Sequence, residues 1–411
     1  MMIATTEDIR AHFPALDRIH DGHPVAYFDA PGGTQAPREV AEAMNAYLFH
    51  HNANTHWAYP TSEETDAILF EAREAAADLL NASPHEIAFG ANMTTLTLHL
   101  SRALGRMWTA GDEVIVTELD HHANVAPWTA LAVERGVNVR AARMIPHRSV
   151  NQTTAQLDYA HLASLVSTKT KLIAVGGASN AVGTVNDLTR IAAIAKDAGA
   201  LFFVDAVHLA PHELIDVRRI GCDFLACSAY KFYGPHAGIL FTRRELFDVL
   251  PFAKLTPAPD TAPERAETGT QNHEGIAGTR AAIDFLASLS GAGGTRRERL
   301  AATYSALHDR GLTLARKLWE ALAAMKHVHL YGPDPSQPRT PTVAFTIENI
   351  SAEDVSRALA REGLFASHGD FYAMTVIEKL GVEALLRIGC ACYTTEDEID
   401  RLIRAADRIA R

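Results

Sequence analysis

The chain has 411 residues, 47% hydrophobic and 21% charged, which suits a soluble globular protein with a large core. Its formal net charge of −11, with no basic stripe interleaved with aromatics, argues against nucleic acid as a partner. No apolar run is long enough to span a membrane, the start MMIATTEDIRAHFPALD is not patterned as a secretory signal, and four clustered cysteines (Cys222, Cys227, Cys390, Cys392) make no disulfide framework, so a cytoplasmic protein without membrane contact is expected.

The apolar run Ile87–Phe89 leads through Gly90–Thr95 (GANMTT) into a helix, LTLHLSRAL. Backbone N–H groups and hydroxyls at a helix start cradle phosphate, although any polar cap has the same look. Glu113–Thr117 (EVIVT) reads as a strand, followed by the polar Asp120–Asn124 (DHHAN) and a helix over Ala126–Arg135. An imidazole in DHHAN is placed to stack on a ring face; the plain alternative is an exposed polar loop. Lys171–Val175 (KLIAV) is a second strand. Leu188–Ala198 carries Leu188, Ile191 and Ala195 at helical spacing and stops at Gly199. Leu201–Asp205 (LFFVD) and Asp223–Ser228 are further strands, and the Pro-, Thr- and Glu-rich stretch Leu250–Asn272 is irregular. A helix over Gly275–Leu289 and a Gly-rich break at Gly291–Thr295 precede a long helix, then strand, helix and strand in TVAFTI, AEDVSRALAREG and LRIGCACY.

Such alternation predicts an α/β fold with a mainly parallel sheet between helices. Residues 23–294 form the expected large domain and 295–411 a smaller α+β domain, with 1–22 as an N-terminal segment packing on the smaller one. Ligands in such sheets bind beyond the carboxyl ends of the strands.

Asp205 ends an otherwise apolar strand, where an unpaired carboxylate is costly. A helix cap or salt bridge would satisfy it, and so would the protonated nitrogen of a pyridine cofactor, which that ion pair keeps an electron sink. Lys231 lies in SAYKFYGPHAG, one βα unit downstream, after a strand and before a Gly/Pro turn. A buried lysine of lowered pKa there forms Schiff bases, and the Ser228 and Tyr230 hydroxyls beside it suit a phosphate. Asp205 and Lys231 together favour pyridoxal 5'-phosphate (PLP) over a solvated lysine.

Five blocks in order, DHHAN, SNAVGT (179–184), VDAVHLAPH (204–212), CDFLACSAYKFYGP (222–235) and ETGTQN (267–272), resemble the cysteine desulfurase-like branch of the class V aminotransferases. The resemblance covers nearly the whole chain. It implies the type I fold of PLP enzymes, with a large domain whose seven-stranded-type sheet binds the cofactor. It also implies roles for individual residues. Lys231 is the Schiff-base lysine, Asp205 the partner of the pyridine nitrogen, His121 the stacking imidazole, and Asn180 the contact to the ring hydroxyl. Thr94, Thr95, Ser228 and Tyr230 hold the phosphate, and His208 stands where the family commonly has Gln. Thr270 reaches the phosphate of a neighbouring subunit, which implies a homodimer with a shared site. Arg387 clamps the substrate carboxylate, and His56 falls near the substrate pocket. No metal is implied.

The departure is as informative. Desulfurases carry a loop cysteine that attacks the substrate sulfur, and the equivalent stretch here is GLFASHGDFYAM (363–374), with Tyr372 in the cysteine's place. Cys222 and Cys227 read as small residues of the strand before Lys231, and Cys390 and Cys392 alternate out of phase with Arg387. The expected activity is therefore carbon–sulfur lyase or desulfurase-like action on cysteine or an S-substituted cysteine, without a protein thiol. Lys231 acts as base, and Tyr372 or His121 protonates the leaving group unless Tyr372 only shapes the wall. A transaminase, epimerase or kynureninase-type hydrolase is the alternative within the same cofactor chemistry. A non-catalytic binding protein has no need of Lys231, Asp205, His121 and Arg387 together.

Overall fold

The computed structural model describes residues 3–411. Seven strands form the larger sheet: β1 (Ile87–Gly90), β2 (Glu113–Thr117), β3 (Asn138–Ala142), β4 (Thr170–Gly176), β5 (Leu201–Asp205), β6 (Phe224–Ser228) and β7 (Gly238–Thr242). Their order across the sheet is β1-β7-β6-β5-β4-β2-β3, and β7 alone runs antiparallel to its neighbours. Near-continuous apolar strands such as LFFVD are buried on both faces, as a helix-covered parallel sheet requires. Residues alternate between two cores: Ile173, Val175, Phe202, Val204, Leu225 and Cys227 enter one, while Leu172, Ala174, Phe203, Phe224 and Ala226 enter the other.

The helices predicted from periodicity form close to their expected bounds. Helix α1 (Met93–Gly105) is capped by Asn92, whose side chain accepts from Thr95 N. Helix α2 (Ala126–Arg135) ends on Gly136, α3 (Leu188–Asp197) stops before Gly199, and α4 (His273–Ser288) starts on an Asn272 cap, two residues earlier than predicted. The stretch 250–272 is irregular, apart from a single turn of 3₁₀ helix at Glu264–Ala266. It is pinned by a buried ion pair, in which Arg73 donates to Glu267 at 2.6 and 2.9 Å.

The long helix α5 (Arg296–Ala323) opens with a Thr295/Glu298 capping box and leads to the second sheet. That six-stranded sheet contains Val328–Tyr331, Thr342–Ile347, Ser367–Gly369 and Leu385–Gly389. It also takes in a hairpin, Met144–Arg148 with Gln152–Leu157, supplied from the middle of the chain. Near the N-terminus, Phe13 packs edge-on against Tyr393, and Arg10 donates to Tyr393 O at 2.7 Å. Among the described residues, no helix is long and apolar enough to cross a membrane.

Candidate active site

Strand ends and close backbone approaches build one cavity of about 970 Å³ at the carboxyl edge of the larger sheet. Gly238 lets α1 begin against β7, since a Cβ there would lie 2.5 Å from the Asn92 backbone. Gly389, at the end of its strand, leaves room for the Pro31 ring in the same way. The helix start is thereby brought against the larger sheet, and the PGG turn of residues 31–33 against the smaller one.

Lys231 closes a single 3₁₀ turn after β6. Its Nζ donates to Pro31 O at 2.6 Å and Gly32 O at 2.8 Å and sits 4.8 Å from the Tyr230 ring centre. Burial, then the Arg387 charge, brings the amine down to about 7. Asp205, at the tip of β5, accepts from Val207 N at 2.9 Å, and burial pushes its carboxyl up to about 6. Among the described residues it has no cationic side chain at ion-pair distance.

Asp120, which was quoted in DHHAN without a role, organises the turn after β2. It accepts from Gly176 N at 2.6 Å and Thr117 N at 3.1 Å, and burial pushes its carboxyl up to about 7. The next residue, His121, accepts from Ala123 N at 3.0 Å through Nδ1, so its proton resides on Nε2. Burial, then the Lys231 charge, drives this imidazole down to about 4, so it stays neutral.

Ser228 Oγ accepts from Met93 N at 2.9 Å, which ties the helix start to the strand that leads to Lys231. The Thr95 N–H and hydroxyl both donate to Asn92, and Tyr230 stacks on His236 at 4.9 Å. Thr94, Thr95, Ser228 and Tyr230 all line the cavity. Fully buried His208 places Nε2 3.1 Å from both the Thr340 and Thr342 hydroxyls, and burial pushes its pKa well down.

The smaller sheet supplies the far wall. Arg387 donates to Asn180 O at 2.9 Å and to Ser367 Oγ, and its guanidinium lies 3.9 Å from the Phe371 ring centre. Burial brings it down to about 9. Asn180 Nδ2 donates to Phe371 O at 2.9 Å, and Tyr372 stands 5.7 Å from the His121 ring. Phe371 was visible as a letter of GDFYAM, but the sequence assigns no role to it or to the Pro31 and Gly32 carbonyls, because their contacts depend on partners distant in the chain.

Two predicted residues lie elsewhere in this chain. Thr270 and His56 line a second cavity with Asp66, Phe70 and Leu255, outside the Lys231 pocket. The cysteines also differ in detail from the strand reading. Cys222 precedes β6, and the strand carrying Arg387 ends at Gly389, so alternation does not place Cys390 or Cys392. All four thiols are free and buried, burial pushes each to about 12, and none lines the Lys231 cavity.

These groups fit a PLP molecule. Asn180 Oδ1 and Ser179 Oγ are buried without a hydrogen-bond partner, Asp205 lacks a cation, and a neutral-leaning amine stands beside a helix N-terminus with hydroxyls. A ring with a phenolic oxygen, a cationic nitrogen, an aldehyde and a phosphate answers that set.

The family model for class-V aminotransferases matches residues 26–402. A cysteine desulfurase of Pectobacterium carotovorum is 33% identical over 421 residues, covering 98% of each chain. The solved apo cysteine desulfurase of Thermococcus onnurineus superposes with a TM-score of 0.87 at 27% identity, over 100% of this chain and 98% of that one. A C-DES variant, solved with glycine covalently linked to its PLP cofactor, shares the fold at a TM-score of 0.78 and 23% identity, over 97% and 99% of the two chains. The chain belongs to the class V aminotransferases, in their cysteine desulfurase-like branch, and is a PLP-dependent enzyme.

Proposed function

We propose that the enzyme is a carbon–sulfur lyase that cleaves cysteine or an S-substituted cysteine by β-elimination without a protein thiol. The observation that carries this reading is the position of the cysteines: all four are buried with thiols near 12 and none lines the cavity; by the resemblance, Tyr372 takes the place of the desulfurase loop cysteine. The names of the relatives support cysteine as the parent substrate. In balance, the S-substituted cysteine and water give a thiol, pyruvate and ammonium.

Bound PLP supplies the electron sink at the substrate α-carbon. Asp205 would hold the ring nitrogen, Asn180 and His208 the phenolic side, and His121 the ring face. Thr94, Thr95, Ser228 and Tyr230 would hold the phosphate. Arg387 holds the substrate carboxylate, its guanidinium plane fixed by Phe371 and Ser367. Lys231 Nζ, near 7, takes the α-proton; as an ammonium it is a better donor to the departing sulfur than His121 Nε2–H, whose ring is held neutral.

Thr270 and His56 are read as contributions to the site of a second copy. Exposed Phe70 and Leu255 line their cavity, and Phe49, Trp57 and Tyr59 add exposed aromatic surface along the same segment, which suits a homodimer. Four free, buried cysteines suit a cytoplasmic setting. The reading is tested by exposing native holoenzyme to iodoacetamide and counting alkylated thiols by mass. C–S cleavage that persists unchanged at full reagent excess supports it, whereas loss of cleavage in step with one modified cysteine refutes it.

A further inference from the structure

We propose that the Tyr372 ring is the wall on which the substrate's sulfur substituent packs, and that the enzyme selects cysteine S-conjugates bearing an aromatic group. The bond broken rests on the lyase reading above; the wall rests on the loop itself.

Phe371 and Tyr372 have φ of 56° and 55°, a left-handed pair that glycine adopts freely and that strains a residue with a Cβ. Two consecutive aromatics nonetheless occupy it. Three partners outside the loop hold it: Asn180 Nδ2 donates to Phe371 O at 2.9 Å, His122 N to Tyr372 O at 2.7 Å, and Arg387 lies over the Phe371 ring, while Tyr372 N donates to Asp370 Oδ1 at 2.9 Å within the loop. This is a fixed wall, unlike a swinging thiol arm.

Its position names the ligand chemistry. An amino acid with its carboxylate on Arg387 and its α-carbon within reach of Lys231 directs its side chain along the remaining rim. There Tyr372 stands 5.7 Å from the His121 ring and is 71% exposed, so one aromatic face is free to be covered. Offset aromatic pairs favour separations of this size. A cavity of about 970 Å³ is at the large end for small-molecule sites, leaving space beyond the cofactor and a three-carbon amino acid.

The test uses holoenzyme and two analogues that cannot lose an α-proton, α-methyl-S-benzylcysteine and α-methyl-S-methylcysteine, titrated by calorimetry. Turnover of S-benzylcysteine, S-methylcysteine and L-cysteine is measured in parallel. The benzyl analogue is expected to bind roughly 10-fold tighter, with the same preference in kcat/KM carried by KM. Tyr372→Ala should erase the preference, and Tyr372→Phe should keep it. Tyr372→Gly, which suits the backbone, should erase it with an unchanged melting temperature, separating the wall from misfolding. Equal affinities in the native enzyme, a preference that survives Tyr372→Gly, or one lost in Tyr372→Phe would overturn the proposal. A benzyl preference in binding without cleavage of either conjugate or of L-cysteine would support the wall and refute the lyase reading.

Discussion

The Lys231 amine and the Pro31 carbonyl oxygen, 200 residues apart in the chain, lie 2.6 Å from each other. The two carbonyls of the PGG turn favour the ammonium form, yet burial and then the Arg387 charge outweigh them and bring the amine down to about 7. The apoenzyme should capture PLP at a rate that follows the neutral amine, rising through pH 7 and flat by pH 9. Stopped-flow absorbance measures this, and an ordinary lysine would still be climbing at pH 9. The linkage has a matching sign. Between about 7 and 10.5 the unfolded chain binds a proton that the folded chain has released, so this group makes the apoprotein more stable as pH rises through that window.

Removing the Asp205 charge should leave a protein that folds and takes up cofactor but turns over poorly. Asp205→Asn is expected to lower kcat by about 100-fold or more, the scale of a lost buried electrostatic stabiliser. Steady-state kinetics on cofactor-saturated protein are the check.

Substrate anchoring should appear in KM. Arg387→Lys keeps the charge and loses the planar fork, so KM should rise by about 10- to 100-fold while kcat moves less. An equal fall in kcat with KM unchanged would place Arg387 in the chemistry and not in binding.

Much of this architecture was legible in the sequence, because the larger sheet writes itself locally. Apolar runs such as LFFVD and KLIAV mark strands; Asp205 is the tip of one, and Lys231 stands just past another, Phe224–Ser228. Other features depend on partners distant in the chain. The hairpin at 144–157 joins the second sheet through Gln152 against Leu330, a pairing no local pattern announces. Strand β7 (GILFT) reads like its parallel neighbours, and only its pairing with β6 reveals the reversal. Asp120 was visible as a letter of DHHAN, but its role rests on Gly176 N, 56 residues away.

The irregular stretch before α4 is anchored to the larger domain's core by one buried ion pair. Arg73 and Glu267 are both buried, and Glu267 also accepts from Phe89 N at 2.8 Å. Arg73→Met leaves that carboxylate buried without its cation, so denaturant unfolding should show a loss of about 3–5 kcal/mol.

The proposal that Thr270 completes the site of a second subunit is tested by mixtures. Lys231→Ala and Thr270→Ala homodimers should each be weak, while subunits mixed and reassociated at random should recover about a quarter of native activity. Half the dimers are then mixed, and each has one intact site. No recovery in dimers shown by mass to be mixed would place Thr270 outside the partner's site.

The central claim is cleavage of the C–S bond without a protein thiol, and the products measure it most directly. Purified holoenzyme is incubated with L-cysteine and with an S-alkyl cysteine, and pyruvate, ammonia, alanine and sulfane sulfur are quantified together. Equal amounts of pyruvate and ammonia with free thiol or sulfide are predicted. Alanine with protein-bound sulfane sulfur would contradict the account.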